Sequence, residues 1–394
     1  MPAAEAAPSG ATGGDWANLS KRRHHRRLAG LDADRVVEKW RTCNLSSRDA
    51  ALLPESVRRE RGEPLHSSML SISDTATEMV NWVFPEHAGA PGQIHGGRMM
   101  QWIATCGTIA ASRVARGNVV LGAMDDIDFL HPVKVGEVAV LRAQVEYVGQ
   151  CSLEVGVRVY AEKPAGGEQV LTLSSHLVFV KVDEYVKPVP VPQRIVPRGA
   201  EEEALFAEAQ TRRTERLQRF VRRTERVREI DDEAEEVRWR FESCRSVLPE
   251  DTLFGHTMFA GKLLMDIDEA GGILSMRYCR GLVMTACLDA LDFYAPISSN
   301  EVVTFKAGLN HVGTSSLEVG VKVLTEVPWT GEVRHACTAY LSFVHLGPDM
   351  RPRPCPPFRP STPGERRRWQ EAVGRRARRL ERVQRLKASI NGGR

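Results

Sequence analysis

One stretch of this chain occurs twice, and that limits its possible folds more than any other feature. Val148-Gly-Gln-Cys-Ser-Leu-Glu-Val-Gly-Val157 matches Val312-Gly-Thr-Ser-Ser-Leu-Glu-Val-Gly-Val321 at eight of ten positions, at an offset of 164 residues. The same offset, without a gap, pairs Pro85 with Pro249, Gly97 with Gly261, Gly107 with Gly271, Asp128-Phe129 with Asp292-Phe293 and Phe179-Val180 with Phe343-Val344. A repeat of this length is one structural unit used twice. The 394 residues are too many for one ordinary domain and divide into two copies of a module, near 67–183 and 236–347.

Each copy predicts a short strand, a loop bearing Pro and Gly, a long helix and three or four further strands. The helix spans 97–116 in the first copy and 261–280 in the second. Leu264, Ile267, Gly271 and Leu274 recur at helical spacing and define one buried face. A glycine at 271 costs about 1 kcal/mol of helix propensity, so a neighbour is expected to pack closely against it. Leu153, Val155, Val157 and Val159 alternate with Glu154, Gly156 and Arg158, the period of a strand. Ala165-Gly166-Gly167 and Thr330-Gly331 mark hairpins. The module reads as α+β: one long apolar helix wrapped by a curved antiparallel sheet.

The other segments are 1–66, 184–235 and 348–394. The first is an N-terminal extension, partly disordered by composition. The second is a Pro- and Val-rich linker leading into a helix dense in Glu and Arg, expected to be solvated. The third is a Pro-rich segment followed by a basic helix, with 11 basic against 3 acidic residues from Glu365 to Arg394. That tail reads as a solvated terminal helix, with an anionic membrane surface or a partner helix as alternatives. The Lys21–Arg27 run reads as solvated, or as part of an organellar presequence. A basic tail on a slightly acidic body does not indicate a nucleic-acid partner. The eight cysteines contain no C-x-x-C pair and read as reduced core thiols of an intracellular protein. No metal-ligand spacing or dinucleotide fingerprint occurs, so neither metal nor cofactor is expected. A cytoplasmic location is expected, with a mitochondrial one as the alternative.

Chemistry concentrates where each loop enters its helix. The first loop reads Gly89-Ala-Pro-Gly-Gln-Ile-His95-Gly96-Gly97, the second Leu253-Phe-Gly-His-Thr-Met-Phe259-Ala260-Gly261. Glycines opening a helix leave free N–H groups at its positive end, suited to a carbonyl oxygen that gains charge, or simply permit close packing. The copies differ at one telling place: Asp268 on the second helix corresponds to Ala104 on the first. An acid among apolar helix residues costs free energy unless it is paired, exposed or used.

These residues resemble the helix-start motif of the hotdog-fold acyl-CoA thioesterases, and the tandem copies with a charged linker resemble the double-hotdog, cytosolic acyl-CoA hydrolase type. Val148-Gly149-(x)2-Ser152 and Val312-Gly313-Thr314-Ser315-Ser316 resemble that family's turn near coenzyme A. The resemblance implies two paired hotdog modules with sites between them. His95, Gly96 and Gly97 would polarise the thioester carbonyl, and Asp268 would act as general base or nucleophile. The reciprocal site, with Gly261 facing Ala104 and Thr105, would be degenerate. Gln93, Arg98, Gly313, Thr314, Ser315 and Ser316 would contact the acyl-CoA substrate, coenzyme A being part of that substrate. The chain would form homo-oligomers, as trimers of two-module chains. One departure stands out: the Asn that the family places six residues before the loop His is Gly89 here and Leu253 in the second copy, with Gln93 or His87 as possible substitutes. Two alternatives follow. Asp251 and His256 have the spacing of hotdog enoyl-CoA hydratases, and the chain can also be read as a non-catalytic acyl-CoA-binding scaffold.

Overall fold

The computed structural model of the chain describes residues 69–89, 92–229 and 237–392. The N-terminal extension, its basic run and Cys43 lie outside the described residues. The first half contains β1 (Met69–Leu70), β2 (Thr77–Trp82), α1 (Gly96–Ala115), β3 (Val119–Met124), β4 (Ile127–Asp128), β5 (Val138–Val148), β6 (Ser152–Glu162), β7 (Gln169–Lys181), β8 (Arg194–Ile195) and α2 (Gly199–Glu229). The second contains β9 (Arg240–Ser246), β10 (Thr252–Leu253), β11 (Thr257–Met258), α3 (Ala260–Cys279), β12 (Leu282–Leu288), β13 (Leu291–Asp292), β14 (Val302–Val312), β15 (Ser316–Val327), β16 (Glu332–Leu346) and α4 (Pro363–Gly392).

The two central helices form within one residue of where the apolar spacing predicts them. Met99, Met100, Ile103, Cys106, Ala110 and Val114 give α1 a wide buried face. Both helices stop at an arginine in the left-handed region, Arg116 at φ 52 and Arg280 at φ 53, the conformation that ends the backbone ladder. The neighbour expected at Gly271 is the ring of Phe343, 3.0 Å from where a Cβ would stand.

Strands β2, β5, β6, β7 and β3 form an antiparallel sheet around α1, and β9, β14, β15, β16 and β12 form its counterpart around α3. Each sheet gains a sixth strand from the other module. β13 pairs with β3, Leu291 opposite Met124, and β4 pairs with β12, Ile127 opposite Leu288. This exchange and the packing of α1 on α3 join the modules. Gly97 at the start of α1 meets Met265 and Asp268, and Gly261 at the start of α3 meets Gln101, the pattern of an antiparallel helix pair.

The charged helices correct the expectation of solvated ones. Arg212, Arg216 and Arg219 of α2 lie on the outer face of the first sheet. Arg375, Arg379 and Arg382 of α4 lie on the second, at an offset of 163. Arg212 donates to Glu146 and Glu154, both at 2.6 Å, and Arg216 pairs with Glu154 and with Asp125 at 2.8 Å. Arg375 and Arg379 clasp Glu318 at 2.6 and 2.5 Å. Glu154 and Glu318, on the polar side of their strands' alternation, are therefore buried. Burial pushes the Glu318 carboxyl up, but the two guanidinium groups hold it below the usual value. Arg219 reaches Asp292 at 3.0 Å and Arg382 reaches Asp128 at 2.5 Å, so each arginine helix pins the strand its own sheet has borrowed. Three arginines of the tail, Arg375, Arg379 and Arg382, are thus bound to the protein's own carboxylates.

Removing one partner of such a cluster leaves charge buried without compensation. Glu318→Leu is expected to lower stability by about 3–5 kcal/mol in urea unfolding. Arg378→Ala, on the exposed side of α4, is expected to stay within about 0.5 kcal/mol. Equal, small effects would mean that α4 does not depend on this cluster.

The seven described cysteines are free thiols. Burial pushes Cys106 and Cys279 up to about 12, which removes them as nucleophiles near neutrality. No described helix is long and apolar enough to cross a membrane.

Candidate active site

The loop before α1 is held by its own backbone and by one imidazole. Pro85–His87 form a short helical turn in which His87 Nδ1 accepts the Phe84 N–H at 3.1 Å. The His87 carbonyl accepts the His95 N–H at 2.8 Å, and the Val133 carbonyl accepts the Ile94 N–H at 3.0 Å. These bonds place His95 as the last residue before the helix. Its ring lies over Gly89, where a Cβ would come within 2.6 Å of the ring Cδ2. The position that carries Asn in the resembling family is therefore closed by His95. His87 is committed to the frame of the loop. Gln93 is not: its Oε1 is buried and has no partner among the described residues.

Asp268 comes from the middle of α3 and meets this loop across the module boundary. It is 1% exposed. Its Oδ2 accepts the Gly97 N–H at 2.7 Å, and its Oδ1 accepts the Thr285 hydroxyl at 2.8 Å. His95 Nδ1 stands 3.5 Å from Oδ2. Glycine is required at both following positions. A Cβ at Gly96 would lie 2.6 Å from the Thr285 side chain, and one at Gly97 would lie 2.9 Å from the Met265 Cα. The first turn of α1 therefore sits directly against α3 and β12, with the positive end of its dipole on the carboxylate. Burial nonetheless pushes the Asp268 carboxyl above the ordinary value of 3.8, against the pull of His95, Thr285 and the Gly97 amide. A buried acid with a raised pKa, fixed by two donors beside a half-buried imidazole, is suited to taking and returning a proton.

The structure brings Asp268, His95, Gly96 and Gly97 together. One detail differs from expectation: the Gly97 N–H is spent on the acid and does not point at an open oxyanion position. The Gly96 N–H has no acceptor among the described residues. Arg98 donates to Gln101 on its own helix at 2.7 Å. The turn of Gly313, Thr314, Ser315 and Ser316 bonds to the segment around the end of β16. The Thr314 carbonyl accepts the Cys355 N–H and the Ser315 carbonyl accepts the His345 N–H. No hydrogen bond among the described residues joins this turn to the Asp268 group. The Asp251–His256 pair is not assembled as an acid–base couple. Asp251 binds Arg245 and the Leu248 N–H, which hold its carboxyl below the usual range despite burial, and His256 is exposed.

Thr285 escaped the sequence reading, although a signal was present. At the 164-residue offset its counterpart is Leu121, so here too one copy is polar where the other is apolar. At the reciprocal site, Phe259, Ala104 and Leu121 stand for His95, Asp268 and Thr285.

A family profile described as the thioesterase superfamily matches residues 91–168 and 255–328. The chain is similar to the cytosolic acyl coenzyme A thioester hydrolase of Rattus norvegicus, 27% identical over 303 residues that cover 74% of this chain and 80% of that one. It is also similar to a Bacillus subtilis protein described as an uncharacterized acyl-CoA thioester hydrolase. That match is 39% identical over 145 residues, covering 37% of this chain and 84% of that one. Among solved structures, the acyl-CoA hydrolase from Staphylococcus aureus in complex with butyryl coenzyme A, coenzyme A and coenzyme A disulfide is 28% identical. It covers 41% of this chain and 98% of that chain, with a TM-score of 0.39.

Proposed function

Since the chain belongs to the thioesterase superfamily, we propose that it hydrolyses acyl-CoA to a free acid and coenzyme A at a single site between its two modules. The observation that carries the reading is the Asp268 carboxylate of one module, buried against the Gly97 amide of the other. In the proposed reaction Asp268 takes a proton from water as the water oxygen attacks the thioester carbonyl. The carbonyl oxygen, gaining charge, is received at the start of α1 by the Gly96 N–H. The C–S bond then breaks, and Asp268 returns its proton to the departing thiolate. His95 flanks the acid, and we assign the Oε1 of Gln93, which has no partner among the described residues, the role of orienting the water. General-base action suits an acid whose two oxygens already accept hydrogen bonds and whose pKa is raised. Proton transfer by these residues needs no cofactor.

The test is release of free coenzyme A from a panel of acyl-CoAs, short to long. Absence of turnover with all of them would overturn the reading. The pH dependence adds a second check. The active form is the carboxylate, so kcat/KM is expected to fall as pH drops through the Asp268 pKa, with a midpoint above 3.8. His95 pulls that pKa down, so His95→Ala is expected to move the acid limb to higher pH. An unmoved limb would remove His95 from the electrostatics of the site.

We also infer homo-oligomers, in trimers of two-module chains. Val80, Trp82 and Phe84 support this: they are exposed on and just after the edge strand β2, an apolar strip of the kind that interfaces cover. Light scattering on the full chain tests it. A cytoplasmic location is inferred from relatives named as cytosolic.

A further inference from the structure

The site reciprocal to Asp268 is open. A cavity of about 290 Å³ lies there, walled by Leu121 and Val182 of the first module and by Leu253, Phe259, Leu263 and Ile297 of the second. Its frame repeats that of the acid site bond for bond. The Ile297 carbonyl accepts the Met258 N–H at 2.8 Å, as Val133 accepts Ile94, and the Asp251 carbonyl accepts the Phe259 N–H at 2.8 Å, as His87 accepts His95. Gly261 still lets the start of α3 approach α1, with Gln101 Cγ 3.1 Å from where a Cβ would stand. The three polar side chains of the acid site have all become apolar, as Phe259, Ala104 and Leu121. The pocket has therefore lost every group that activates water and kept the cleft.

We propose that this second pocket binds a linear acyl chain and leaves its thioester or acid group unreacted. The volume stands at the lower end of ligand pockets, which are concave and mainly apolar. The lining combines branched aliphatic side chains with the rings of Phe254, Phe259, Phe293 and Tyr294, an apolar surface fitted to an alkyl chain rather than to a polar ligand. The frame is a second copy of the one assigned to acyl thioesters. The choice of an acyl chain as occupant rests on the acyl-CoA hydrolase reading; the existence of the pocket does not. Free fatty acid and acyl-CoA carry the same chain, and either is able to supply it.

The experiment uses the full chain and a medium-chain fatty acid with a terminal photoreactive diazirine, offered as the free acid and as its CoA thioether. The expected result is labelling of the peptides that contain Val119–Gly122 or Leu253–Leu263. Affinity is expected to rise about fourfold for each added methylene until the cavity is filled. Ala295→Trp puts bulk into the pocket and Val120→Glu puts charge there. Each is expected to weaken that labelling by about tenfold or more, the effect of excluding about two buried methylenes, with coenzyme A release unchanged. Labelling by the acid alone or by the thioether alone identifies the source of the chain. Labelling confined to peptides around His95 and Thr285, or insensitive to both variants, overturns the proposal. Coenzyme A release without pocket labelling defeats this inference and spares the hydrolase reading. Pocket labelling in a chain that releases no coenzyme A does the reverse.

Discussion

Asp268→Asn is expected to lower kcat for acyl-CoA hydrolysis by about 10²–10⁴-fold, the range a positioned general base contributes, and at the same time to raise thermal stability at neutral pH. The amide keeps the size of the carboxylate. Its oxygen still accepts the Gly97 N–H, and its NH₂ turns toward Thr285, so the loss of rate reports lost proton transfer rather than lost shape. The stability change follows from the sign of the pKa shift. Burial raises the folded pKa of Asp268 above 3.8, so between that value and the raised one the folded state binds more protons than the unfolded state. Stability therefore falls as pH rises through the raised pKa, and above that pKa the parent carries the whole penalty. The asparagine does not titrate and carries none of it. The unfolding midpoints of the two proteins should converge as the solution is acidified toward 3.8. A variant that is less stable at neutral pH would mean that the hydrogen bonds to the carboxylate outweigh its burial.

Gly97→Ala is expected to be nearly as damaging for a different reason. The new Cβ would stand 2.9 Å from the Met265 Cα and 3.0 Å from the Asp268 Cβ. The first of these is backbone and cannot rotate away, so α1 and α3 must separate. Overpacking of this kind costs about 1–3 kcal/mol. Separation also stretches the 2.7 Å bond between the Gly97 N–H and Asp268, and displacements near 1 Å at a catalytic group cost about 10²-fold in rate. Gly117→Ala is the control. Its nearest neighbour would be the end of the Lys181 side chain at 3.4 Å, and it is expected to leave both rate and stability close to the parent. Steady-state kinetics and thermal melts on the two variants make the comparison.

Much of this architecture was legible because the chain writes it twice. The offset of 164 located both helices, and comparing the copies singled out Asp268, since an acid opposite Ala104 has no reason in packing alone. The same contrast recurs in β12, where Thr285 opposite Leu121 holds the second oxygen of that acid. The arginine helices were misread for two physical reasons. Their offset is 163, so they fall out of register with the gap-free repeat. Their partners, Glu154 and Glu318, occupy the side of the strand that alternation leaves to polar residues. Buried carboxylates and buried arginines each look solvated when read alone, and only the sheet face that joins them shows otherwise. The exchange of β4 and β13 was invisible for a similar reason: strands of two residues leave no periodic trace. The closure of position 89 by the His95 ring depends on a rotamer, which no sequence specifies.

The central claim is that one working site is assembled from two modules. A double-mutant cycle between them tests it most directly, with kcat/KM for an acyl-CoA measured on the parent, His95→Ala, Asp268→Asn and the double variant. Residues that act as one unit are strongly non-additive. The predicted result is a parent that releases coenzyme A, a large loss in Asp268→Asn, and little further loss when His95→Ala is added to it. A parent without turnover, or losses that simply multiply, would contradict a single site shared by the His95 loop and the Asp268 helix.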